Sequence, residues 1–210
     1  MKLQLLGKIP KSVIVACSGG ADSMAVVDFL LNGKHNVTLA HFDHGTEYGK
    51  NARRVVEEFS EERKLTMFTQ TIKSDVNFKG KSKEEVWRNQ RYNFFDELLE
   101  FYDHRIPLIT CHHLDDQIET WIFYCLRGNP KLIPYRRGNI IRPFLVTKKE
   151  AFIDWCDRRK VQYLSDPSNL DSKYMRNHIR NNIIPLAMVV NPGLDKVVRR
   201  KVLDEFEKLN

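Results

Sequence analysis

The run Ser18-Gly19-Gly20-Ala21-Asp22-Ser23 stands between a compact apolar segment, Val13 to Cys17, and a stretch with helical spacing. Two adjacent glycines let a backbone turn tightly and come close to a ligand. A helix beginning there presents unpaired N–H groups and the positive end of its dipole. Together these features make an anion cradle. Ser18 and Ser23 add hydroxyl donors. Asp22 sets a carboxylate beside the anion, which is chemically sensible where Mg2+ joins the two. A glycine-rich turn capped by Ser or Asp would explain the glycine pair alone, but not the whole SGGxDS run after an apolar strand. The run is neither a Walker motif nor a GxGxxG fingerprint.

A second constellation is His112-His113-Leu114-Asp115-Asp116-Gln117-Ile118-Glu119-Thr120, again following an apolar segment, Ile106 to Cys111. On a helix Asp115 and Glu119 are four apart and Asp116 and Glu119 three apart, so their carboxylates share a face. Such a cluster suits Mg2+, an ammonium group, or both. Acids in a first helical turn also favour the dipole, which explains Asp115 and Asp116 but not the histidines beside them. Adjacent histidines project to different sides, which argues against a metal site using both. Arg176 and Arg180 lie four apart on one helical face and suit phosphate or base edges. The alternative is a solvated basic face paired with Asp166 or Asp171. His41 and His44 stand open between general bases and packing residues at a strand end.

The elements that must carry these groups alternate. Apolar runs Val13–Cys17, Val37–Phe42, Thr66–Ile72, Ile106–Cys111 and Ile140–Ile141 read as strands, with a brief one at Val161–Leu164. Between and after them lie helical stretches Ala21–Leu31, Asn51–Lys64, Lys83–Tyr102, Leu114–Leu126, Lys148–Arg159 and Tyr174–Ile184, the last stopped by Pro185, with a C-terminal helix from Val197 to Leu209. Such alternation predicts an α/β fold, a parallel sheet with helices on both faces, with ligands at the carboxyl ends of the strands. Residues 77–83 and 128–139 read as mobile loops.

The chain has 210 residues and a formal net charge of +7, a mild excess suited to a polyanionic partner. The four cysteines form no CxxC pair, and no zinc-ligand spacing occurs. No apolar run approaches the roughly 20 residues of a membrane helix, and the first residues do not read as a signal peptide. The expectation is a cytoplasmic protein without membrane contact.

SGGxDS resembles the PP-loop of N-type ATP pyrophosphatases, which split ATP between the α- and β-phosphates and transfer AMP. HHxDDQxET narrows the likeness to the tRNA(Ile)-lysidine synthetase family. Four other stretches are similar to that family's motifs: His41-Phe42-Asp43-His44-Gly45; Trp87-Arg88-Asn89-Gln90-Arg91-Tyr92; Ile141-Arg142-Pro143-Phe144; and Asp166-Pro167-Ser168-Asn169 with Asp171 and Arg176-Asn177-His178-Ile179-Arg180. The similarity runs from about Val13 to Pro192.

The resemblance implies an adenine nucleotide alpha hydrolase-like fold, with a PP-loop domain over residues 1–145. A small helical extension, 146–210, would complete the catalytic domain; separate C-terminal tRNA-binding domains, which many bacterial members of the family carry, are not expected here, a departure from the family pattern. It implies a ligase that adenylates C2 of a wobble cytidine in tRNA(Ile) and replaces AMP with L-lysine. Ser18, Gly19, Gly20, Ala21, Asp22, Ser23, Ala40, His41, Arg176 and Arg180 would hold ATP. Asp22 and Asp116 would hold Mg2+, and Asp22, Arg88, Asp115, Asp116 and Glu119 would be catalytic. Two other readings compete, a tRNA thiolase and a non-catalytic nucleotide- or tRNA-binding protein. The first is opposed by the absence of CxxC, the second by the intact SGGADS and DDQIET. The sequence departs from the family pattern at Asp43, at Thr46-Glu47, and in the loop 128–139, which carries three added basic residues. For the C-terminal helix, packing on the domain, contact with tRNA and homodimer formation remain open.

Overall fold

The computed structural model describes residues 2–72, 80, 82–166 and 175–209. A six-stranded sheet has the order β3-β2-β1-β4-β6-β5, from β1 (Ser12–Ala16), β2 (Asn36–Asp43), β3 (Thr66–Thr71), β4 (Leu108–Ile109), β5 (Arg136–Arg137) and β6 (Ile140–Ile141). All pairings are parallel except the edge hairpin β5–β6. The helices are α1 (Ala21–Asn32), α2 (Glu47–Glu62), α3 (Lys83–Phe101), α4 (Leu114–Cys125), α5 (Lys149–Arg159), α6 (Met175–His178), α7 (Ile184–Val190) and α8 (Leu194–Glu207). A π-helical turn, Ile179–Ile183, joins α6 to α7.

Strand alternation sorts side chains onto two covered faces. Val13, Val15, Leu39, Ile109 and Ile141 enter one core with α1, α2 and α5. Ile14, Ala40, Phe42, Leu108 and Ile140 enter the other with α3. A third core joins α4 to α8 through Ile118, Ile122, Val198 and Val202. Phe144, Phe152 and Cys156 share the first core with β1 and α1, so residues on either side of position 145 pack as one body. Among the described residues no helix is long and apolar enough to cross a membrane.

Several expected boundaries are corrected. α2 starts at Glu47 rather than Asn51, because the Thr46 hydroxyl accepts the Gly49 N–H at 3.0 Å and caps the helix there. Val161–Leu164 is not a strand and contributes one bridge, between Leu164 and Gly20. Pro185 does not end the helical path, which continues to Val190. It sits in the first turn of α7, where a missing N–H is tolerated, and the wider π turn precedes it. The loop expected over 128–139 contains β5 and is anchored rather than loose: Gln117 donates to the Ile133 carbonyl and accepts its N–H, each at 2.8 Å. α8 begins at Leu194 and packs on the domain, with Lys148 on Asp195 and Phe206 against Tyr135. Residues 77–79 and 81 of the other expected loop lie outside the described residues, as do Pro167, Ser168, Asn169, Asp171 and Tyr174.

Asp28 fastens α1 to α5. Its side chain is 2% exposed, accepts the Trp155 indole N–H at 3.0 Å, and meets Arg159 and, at 3.7 Å, Arg63. Asp28→Ala should lower unfolding free energy by about 2 kcal/mol, since a buried donor loses its partner. Urea unfolding followed by circular dichroism measures this, and a loss below about 0.5 kcal/mol would count against the assignment.

Candidate functional site

The glycine loop leaves β1 beside β2 and β4. Gly19 has φ +81°, and a Cβ there would lie 3.0 Å from the Ala52 carbonyl oxygen, so glycine is required by both conformation and space. The Leu164 N–H donates to the Gly19 carbonyl at 2.9 Å and fixes the turn from the far side. Gly20 is the N-cap of α1, with Asp22 in its first turn. Ser23 is 2% exposed; its hydroxyl accepts the Ser18 N–H at 3.1 Å and donates to the Gly20 carbonyl at 3.0 Å. Its one proton therefore braces the loop, and the Ser18 hydroxyl, 3.3 Å away, donates to the Ser23 oxygen. Ala40 is buried, and its carbonyl accepts the Cys17 N–H.

The second loop leaves β4, the neighbour of β1, and opens α4. His113 is 5% exposed and lies among three carboxylates: Asp115 at 3.4 Å, Asp116 at 3.5 Å and Asp22 at 3.7 Å. Burial opposes charge on this imidazole, but Asp116, Asp115 and Asp22 outweigh it and raise its pKa to about 9. Against the opposite pull of burial, His113 holds the Asp115 and Asp116 carboxyls below their usual range. His112 turns the other way, to the Thr110 hydroxyl at 3.0 Å. The two histidines thus diverge, as their adjacency predicts.

Glu119 is 2% exposed, and both its oxygens are taken: Arg176 donates to one at 2.7 Å and Arg180 to the other at 2.6 Å. Arg180 also reaches Asp116 at 3.3 Å. These arginines reach the acids of α4 from across the chain, Arg180 being carried on the π turn. One site residue escaped the sequence reading. Lys149 donates to both Asp22 oxygens, at 2.7 and 2.6 Å, and its backbone N–H donates to Asp115 at 2.8 Å. The signal was present: Lys148-Lys149 opens α5, where the helix dipole disfavours cations.

The other sequence candidates stand apart from this cluster. Arg88 is exposed on α3, with its guanidinium carbon 4.9 Å from the centre of the Tyr92 ring. Among the described residues no hydrogen bond or ion pair joins it to the loop. His41 is 1% exposed; its Nδ1 lies 2.9 Å from the Cys17 carbonyl and so donates, while Nε2 is buried without a partner. His44 stacks on Trp87 at 5.0 Å. Burial and then Arg91 push the His44 pKa down to about 4. Cys17 and Cys156, 2% and 0% exposed, flank the loop, and burial raises their thiols to about 11 and about 12.

Asp22 and Asp116 both face His113, so two hard oxygen donors converge beside the anion cradle. Among the described residues no group of three or more His, Cys, Asp or Glu is arranged to hold a metal by itself. Mg2+ is commonly held by one or two carboxylates with phosphate oxygens completing its shell. The donor set fits that mode, with Lys149 competing for Asp22.

Comparison with known proteins agrees with this architecture. The profile of the PP-loop domain family matches residues 2–187. The chain is 28% identical over 209 residues to a tRNA(Ile)-lysidine synthase from Exiguobacterium sibiricum, covering 95% of this chain and 49% of that one. It is 33% identical to the tRNA(Ile)-lysidine synthase of Bacillus subtilis, covering 88% of this chain and 42% of the relative. The chain thus spans about half the length of these relatives, or less. Among solved structures, the U34-tRNA thiolase NcsA from Methanococcus maripaludis superimposes with a TM-score of 0.69 at 16% identity, over 95% of this chain and 73% of that one, a likeness of fold.

His44 yields a pH prediction. An unfolded histidine titrates near 6.5, whereas His44 in the fold titrates near 4. The unfolded chain therefore binds more protons between these values, and this contribution to stability falls as pH drops from 6.5 toward 4. Melting temperature should decline over that window, less steeply in His44→Gln. Identical slopes for the two proteins would show that His44 is not held neutral.

Proposed function

This chain belongs to the PP-loop domain family, and on that footing we propose that it is an ATP-dependent tRNA-modifying ligase making lysidine. The observation carrying the proposal is the convergence of Asp22, Asp115, Asp116 and Glu119 with His113, Lys149, Arg176 and Arg180 beside a glycine anion cradle. Phosphoryl transfer asks a protein mainly for positioning and fixed charge, and these residues supply both. The likeness to curated tRNA(Ile)-lysidine synthases over most of the chain supports the choice of substrates.

In this reading Ser18 to Ser23 and the first turn of α1 hold the pyrophosphate portion of ATP. The C2 oxygen of the wobble cytidine of tRNA(Ile) attacks the α-phosphorus, and the bond from that phosphorus to the bridging oxygen breaks. The amine of L-lysine then attacks C2, the C2–O bond breaks, and AMP leaves as the amine loses a proton. Asp22 and Asp116 would hold Mg2+, which when bound would neutralise phosphate charge. Lys149, already on Asp22, provides a second cation for the same phosphates. Arg180 and Arg176 keep Glu119 and Asp116 in place. Arg88 serves the transferring phosphoryl group only when its side chain leaves Tyr92.

Pyrophosphate release from ATP with bulk tRNA, each amino acid being added in turn, tests the proposal. Release should require both tRNA and lysine. Dependence on a sulfur donor instead would mean thiolation, and binding without release would mean no catalysis. Asp22→Asn and Asp116→Asn should each reduce release by about 100-fold or more, with unchanged circular dichroism. Full turnover in both would misplace the metal. Lys149→Met should cost about tenfold in kcat, since one fixed cation is lost, with Lys149→Arg recovering part.

A further inference from the structure

Positive charge collects a second time, on the α3 face of the sheet. Tyr92 is 7% exposed, yet the guanidinium carbons of Arg88 and Arg137 each lie 4.9 Å from its ring centre, and that of Arg91 lies at 6.0 Å. Arg142, 3% exposed, lies at the Tyr92 hydroxyl, donates to the Pro134 carbonyl at 2.8 Å, and leaves its Nε buried without a partner. Burial would raise the Tyr92 pKa, but the arginines, Arg88 foremost, outweigh it and lower it. Among the described residues no carboxylate pairs with Arg88, Arg137 or Arg142. A cavity of about 580 Å³ opens here, walled by Tyr92, Arg137, Asn139, His104 and Asp96.

Guanidiniums gathered this way repel one another, and cation–π contacts of about 0.5–1 kcal/mol each offset that only in part. Charges on an edge strand commonly serve to block aggregation. That accounts for Arg136 and Arg137 standing on β5, but not for Arg137 lying over Tyr92 beside Arg88 and Arg142. An anion in the groove answers both facts. The positive stretch also has a direction. α3 crosses between parallel strands and so runs back from their carboxyl ends. Arg88 therefore lies nearer the glycine loop than Asp96 does, and the acids Asp96, Glu97 and Glu100 end the stretch.

We propose that the groove between α3 and β5 is a docking surface for an RNA backbone, with Arg137 gripping a phosphodiester of the strand that enters the adenylation site. This rests on the tRNA-modifying reading above. Arginine suits phosphate through its planar fork of donors, and a phosphate contact positions RNA without reading its sequence.

The test is binding of bulk tRNA by fluorescence anisotropy across a salt series, with ATP affinity by calorimetry alongside. Arg137→Glu should weaken tRNA binding about tenfold and flatten the slope of log K against log[salt] by about 1. Arg137→Lys should retain most affinity, and both variants should bind ATP as the parent does. Parental tRNA affinity and slope in Arg137→Glu would overturn the groove while leaving the functional reading intact. Equal losses of ATP and tRNA binding would also overturn it. A parent chain that binds no tRNA would overturn the functional reading, and the groove with it.

Discussion

The rest of the site depends on the short parallel pairing of β1 with β4, Ile14 against Leu108 and Val15 against Ile109. All four side chains are fully buried. Val15 and Ile109 feed one core, and Ile14 and Leu108 feed the other. A slip of one residue would exchange the faces of a whole strand. The register therefore cannot drift, and it sets the two departing loops side by side. The Cys111 thiol lies 3.8 Å from the Ala16 carbonyl, marking how closely the loops run. From that adjacency α1 and α4 start next to each other, and Asp22 meets Asp116 across His113.

What the pairing brings together is costly unless balanced. Four carboxylates, one of them on the nearly buried Glu119, would repel strongly in a medium of low polarisability. His113, Lys149, Arg176 and Arg180 answer them from three places: the loop between β4 and α4, the start of α5, and the α6–π segment. The charge balance thus ties the helical C-terminal part to the sheet. The seating of α8 on α4 holds that part in position, as the clasp of Gln117 on Ile133 holds the segment before β5.

Much of this was legible in the residues. The doubly covered sheet shows in unbroken apolar runs such as VIVA and LI, and the glycine loop and the acids of α4 show in their local order. What was not legible depends on distance along the chain. Lys149 reaches Asp22 across 127 positions, and no local pattern reports that contact. The pairing of Arg176 and Arg180 with Glu119 was missed because the partners stand 57 and 61 positions apart, and each side already had a reading of its own, phosphate or a basic face for the arginines and Mg2+ or an ammonium group for the acids. Pro185 misled because a proline stops a regular helix, whereas here a π turn leads into it. The two residues of β5 carry arginines rather than strand formers, so only their hairpin partner reveals them.

Cys17 and Cys156 sit beneath the glycine loop as buried, protonated thiols. A thiol reacts with alkylating reagents as its thiolate, so neither can be modified while the loop and the end of β1 remain packed. Their rate of alkylation is thereby governed by how often this corner of the sheet opens. The two sulfurs act as built-in clocks for local unfolding around the anion cradle, readable by mass spectrometry without any added probe.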